Sequence, residues 1–121
     1  MLSVASQTAP EDWLLALYLT SDNADTTRNN SYYRRLLTAI NRAVHDTPRV
    51  IANRTVQISR QLTEMGISVD MDLILTDFAR HLQNADRHFV YGDLCAQYVI
   101  LRQQHLTHAL AMQTLFELLE K

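Results

Sequence analysis

Apolar side chains recur every three to four positions through most of this chain, and short polar or turn-forming runs interrupt them. That spacing predicts amphipathic helices, not half-buried strands. The breaks fall at Pro10, Asn29-Asn30-Ser31, Thr47-Pro48, Gly66 and Gly92-Asp93, leaving five predicted helices. The first spans about 10–20, with capping-box spacing between Thr8 and Glu11 and Pro10 in its first turn. Its run Trp13 to Leu19 is apolar on every side. The second spans about 31–45 on a stripe of Tyr33, Leu36, Leu37, Ile40 and Val44, and Pro48 bars its continuation. The third opens on Thr47 as cap with Pro48 behind it, buries Ile51, Ile58, Leu62 and Met65, and stops at Gly66.

The fourth begins near Ser68. Met71, Ile74, Leu75, Phe78, Leu82 and Ala85 fall within an arc of about 100°, and Leu73 stands alone on its polar side. The fifth follows Gly92 with Asp93 as cap. It is apolar on three faces: one carries Leu94, Tyr98, Leu101, Ala109, Met112, Phe116 and Leu119, a second Val99, Leu106 and Leu110, a third Ile100, Ala111 and Leu118. Periodicity alone does not decide whether this helix is continuous through His105–Thr107. Residues 1–8 and 21–30 read as loop. Short links between helices favour antiparallel neighbours, so the expected fold is all-α, a small antiparallel bundle of about five helices forming one domain over 1–121.

Composition agrees with that fold. Apolar residues make up 47% and charged residues 20%, with only two glycines and two prolines, too few for the turns of a sandwich or barrel. The single cysteine, Cys95, rules out an internal disulfide and suits a reducing compartment. No run approaches the roughly 18 apolar residues of a membrane span, and residues 1–6 lack the basic flank and apolar stretch of a signal peptide. The expectation is a cytoplasmic protein.

Charge is unevenly spread although the net value is only −2. Between residues 26 and 63 seven arginines face the single acid Asp46, a net charge of +6. Arg35 and Arg42 fall opposite the apolar stripe of the second helix, and Arg49 and Arg60 point away from that of the third. Guanidinium forks suit phosphate and carboxylate. Two readings stay open: a patch for a nucleic-acid backbone or an acidic partner, or a solvated face paired with Asp70, Asp72 and Asp77.

Catalytic signals are thin. The run Gln61 to Ser68 resembles a helix-turn-helix turn, but the following helix would bring Asp70, Asp72 and Asp77 toward phosphates, and bulky Leu62 takes a position normally kept small. His105 and His108 have a three-residue spacing that suits two metal ligands, yet no third or fourth ligand is placed by sequence; buried or interfacial histidines are the plainer reading. Cys95, near a predicted helix start, has no base at hand and reads as structural. No phosphate-binding glycine loop, Gly-x-Ser-x-Gly, His-Glu-x-x-His or Cys-x-x-Cys pattern occurs.

No enzyme activity, cofactor, metal or small-molecule substrate is therefore expected. The favoured function is a non-enzymatic adaptor or regulator acting through protein–protein contacts, self-associating as a homodimer through Leu73, Val99, Leu106, Leu110 and parts of the first helix. The alternative is an accessory subunit holding a nucleic-acid backbone through Arg35, Arg42, Arg49 and Arg60.

Overall fold

A computed structural model describes residues 8–20, 24–85 and 88–119. Among them are six helices: α1 Pro10–Leu19, α2 Asn30–Asn41, α3 Pro48–Glu64, α4 Met71–Leu82, α5 Tyr91–Gln103 and α6 His108–Leu119. The fold is a compact all-helical bundle. Of the two segments expected to be loop, 24–29 is non-helical and Asn30 already belongs to α2, while 1–7 and 21–23 lie outside the described residues. Helix α2 packs against α1, α3 and α4; α5 packs against α3 and α6; α4 also meets α3 and α6, and α1 meets α3.

The sixth helix arises because the expected fifth breaks. His105 adopts φ 69°, its N–H bonds to Arg102 O at 3.0 Å, and the Leu106 N–H reaches Leu101 O at 3.4 Å. This is a Schellman ending, and it turns the chain back so that α6 lies against α5. An equivalent ending closes α3. Gly66 has φ 79°, and the Gly66 and Ile67 amides bond to Thr63 O and Leu62 O at 3.0 and 2.9 Å.

Other boundaries also move. Helix α2 stops at Asn41, short of His45, because the next residues pair with a distant strand-like segment. Val44 and Phe89 form an isolated parallel bridge, with His45 N–H to Phe89 O at 3.0 Å and Phe89 N–H to Ala43 O at 2.9 Å. Thr47 caps α3 as expected, its hydroxyl accepting from Val50 N–H at 3.3 Å. Thr8 does not cap α1; the position belongs to Ala9, with no side-chain cap. Asp93 does not cap α5 either, since it lies inside the first turn. The Asp46 carboxylate instead accepts from Tyr91 N–H at 2.7 Å across 45 positions. Ala85 lies past the end of α4 and is exposed.

The core is aromatic at its centre. The Phe78 ring lies 5.3, 6.3 and 6.0 Å from those of Tyr91, Tyr98 and Phe116, so α4, α5 and α6 meet on one side chain. Thr55, fully buried, donates to Ile51 O and stands 2.7 Å from Tyr91 Oη, which donates to it in turn. Val99 is 6% exposed and belongs to this core. It is removed from the predicted contact surface: the α3–α5 packing covers the face of α5 that carries it.

Candidate functional site

The most built surface lies where α1, α2 and the start of α4 converge. Arg28, just before α2, places its guanidinium carbon 3.9 Å from the centre of the Tyr18 ring and 4.2 Å from that of Tyr32. One nitrogen, Nη1, donates to Tyr33 Oη at 3.2 Å and pairs with the Asp72 carboxylate. Asp72 also accepts from Tyr33 Oη at 3.1 Å. Contacts between a cation and tyrosine faces contribute about 0.5–2 kcal/mol, the more so when water is excluded. Burial pushes the Asp72 carboxyl above its usual value, against the opposing pull of the Arg28 and Tyr33 hydrogen bonds. Burial likewise raises the Tyr33 phenol well above its ordinary range.

Beside this cluster runs an open groove of about 720 Å³, with Leu17, Tyr18, Tyr32, Val69, Met71 and Leu73 among its walls. Leu73, singled out in the sequence, is 48% exposed and stands at the groove's edge. Asp70 lies on the same edge. It caps α4, its Oδ1 accepting from Asp72 N–H at 2.9 Å and Leu73 N–H at 3.4 Å.

A second polar cluster ties α4, α5 and α6 together. Arg102, 9% exposed, donates from Nη1 to Tyr98 Oη at 2.8 Å and from Nη2 to Ser68 O at 2.6 Å. Tyr98 Oη lies 2.9 Å from His108 Nδ1, and His108 Nε2 lies 2.6 Å from Asp77 Oδ2. Arg80 closes the chain on Asp77 Oδ1 at 2.8 Å. A carboxylate only accepts, so His108 carries its proton on Nε2, and in the neutral ring Nδ1 accepts from Tyr98. Apart from Arg102 Nε, which is buried without a hydrogen-bond partner among the described residues, these groups satisfy one another and act as a structural clamp. Burial raises the Tyr98 phenol.

The sequence model of the MoxZ family matches residues 11–118. The chain belongs to the MoxZ family. No curated protein and no solved structure matches it. The MoxZ match takes in all six helices save Pro10 and Leu119, and with them the groove and both polar clusters.

The remaining sequence candidates of this MoxZ chain are dispersed. Leu110 is 49% exposed on α6, whereas Leu106 is half-buried against the core. Arg35, Arg42 and Arg60 are exposed. Arg49 is half-buried, with Nη1 donating to Thr8 O at 3.2 Å. The acids of α4 are engaged elsewhere: Asp70 as cap, Asp72 with Arg28, Asp77 with Arg80 and His108. The His105–His108 pair is undone by the helix break, and no group of three or more potential metal ligands gathers among the described residues. Cys95 is buried, and burial lifts its thiol to about 12, which leaves no thiolate for chemistry near neutrality. Tyr18, Tyr32 and Arg102 escaped the sequence reading, which counted Arg28 only among the seven arginines and named Asp72 only together with Asp70 and Asp77. The adjacent tyrosines Tyr32 and Tyr33, in the first turn of α2, were the one local signal.

Proposed function

We propose that this chain is a non-enzymatic accessory protein that works through protein–protein contacts. The carrying observation is the α1–α2–α4 groove, where Leu73 is exposed and Tyr18 and Tyr32 are half-buried around Arg28. Aromatic residues and Met are enriched in the cores of protein interfaces. The accessory character of the MoxZ family supports the same reading. No helix among the described residues is long and apolar enough to cross a membrane, so a lipid-embedded role has no support from the helices. Self-association is assigned to α6, where Leu110 and Leu118 are 49% and 53% exposed.

Affinity capture from nuclease-treated native lysate tests the proposal. A retained protein that is lost on Leu73→Lys or Leu110→Lys supports it. Retention of no protein, or of the same proteins by both variants, rejects it. Light scattering checks the self-association: Leu110→Lys lowers the particle mass, and an unchanged monomer mass in both proteins removes the homodimer.

One observation favours a second reading. The guanidinium groups of Arg35, Arg42 and Arg60 make no hydrogen bond or ion pair with any described residue, so their charge is available to a phosphate backbone. Binding to RNA or DNA that weakens steeply with salt, with a shallower slope after Arg→Ala changes, is the expected result. Flat titrations at low salt dispose of it.

A further inference from the structure

The groove has a definite charge character, and that character selects an occupant. Arg28 is spent on Asp72 and Tyr33, which leaves Asp70 as the charged side chain of the groove that has no ion pair. Asp70 Oδ1 is taken by two backbone amides. Its other oxygen has no hydrogen-bond partner among the described residues, and the side chain is exposed. An acidic occupant would meet both Asp70 and Asp72. A basic one would meet the exposed Asp70 carboxylate, whereas the Tyr18 and Tyr32 rings already hold the chain's own Arg28. Leu17, Val69, Met71 and Leu73 supply apolar wall in the same groove.

We propose that this groove binds a segment of a protein partner that carries a lysine or arginine beside a bulky apolar side chain. The cation sets against Asp70, and the apolar group sits on Met71 and Leu73. The assignment rests on the accessory reading above and makes it specific. Charge complementarity supplies orientation, and apolar burial supplies most of the affinity.

The probes are two fluorescent synthetic peptides of equal length, alike except that lysine or glutamate flanks a Leu-Phe pair, titrated into the full chain. The lysine peptide binds at least ten-fold more tightly than its glutamate counterpart, and added salt narrows the gap. Asp70→Asn keeps the α4 cap, because asparagine caps as well as aspartate, but removes the charge and narrows the preference several-fold. Leu73→Ser weakens the lysine peptide five-fold or more, and Leu110→Ser leaves it unchanged. Thr76→Lys, on the same groove, repels the lysine peptide and checks the assignment without touching the cap. Equal binding of the two peptides, preference for glutamate, no binding of either, or indifference to Leu73→Ser and Thr76→Lys overturns the proposal. So does a fall in particle mass with Leu73→Ser, which makes a second copy the occupant. A lysate partner retained by wild type and by both Leu73→Ser and Asp70→Asn sinks this assignment while leaving the accessory reading in place. Retention of no protein at all sinks the accessory reading itself.

Discussion

Tyr33, Tyr91 and Tyr98 are fully buried, and each anchors its hydroxyl on a polar neighbour inside the bundle. Burial raises all three phenols above their ordinary value of 10. The consequence appears on the alkaline side. In the unfolded chain these groups ionise near pH 10, whereas in the fold they keep their protons. The native state therefore binds more protons above pH 10, and stability is lost as pH climbs through 10 toward the folded values. Absorbance at 295 nm should show these three of the five tyrosines ionising only together with loss of the helical circular-dichroism signal. Ionisation of all five with the helix signal intact contradicts the burial. Individual side chains were legible from sequence only where periodicity speaks. Tyr33 and Leu37 fall on the predicted stripe. Val99 was assigned to the surface because α5 is apolar on several faces, and periodicity cannot say which of them a neighbour will cover. Arg102 was equally invisible, since a buried arginine looks like any other charged residue until Tyr98 and Ser68 fold around it.

Helix ends divide into those written locally and those written at a distance. Thr47-Pro48 and Gly66 act within a single turn of chain, so the start and stop of α3 could be read directly. The end of α5 could not, because His105 does a glycine's work there without being one. A non-glycine residue in the left-handed region costs about 1–2 kcal/mol. The His105 side chain is exposed, so His105→Gly removes backbone strain without losing a packed group. The expected gain is about 1 kcal/mol, or roughly 4 °C in Tm for a domain of this size, by thermal denaturation. The mirror experiment uses Gly66. A Cβ there would meet nothing within 4 Å, so Gly66→Ala is penalised only by φ 79° and should cost about 1 kcal/mol. If both changes are neutral, neither turn has the geometry described.

The all-helical architecture was legible because its cause, a regular alternation of apolar and polar positions, is spread over the whole chain. The groove was not. It needs Tyr18, Arg28, Tyr32 and Asp72 from three helices and a loop, and no spacing along the chain predicts that meeting. The same holds for the join between the 42–47 and 88–91 segments, made by the Val44–Phe89 bridge and the Asp46–Tyr91 bond. Removing the latter with Asp46→Ala leaves the α5 amide without its charged acceptor, at a cost of about 1.5–3 kcal/mol. The cost has a direction in time as well. Closing a loop of this length requires α3 and α4 to have collapsed first, because the entropy of closure must be met before the contact returns anything. The join is therefore the last latch to engage and the first to let go. In stopped-flow chevrons Asp46→Ala should steepen the rate of unfolding more than ten-fold while leaving the refolding limb nearly where it was. Two short connectors, themselves almost without helix, would then set how long the folded protein survives, rather than how fast it forms.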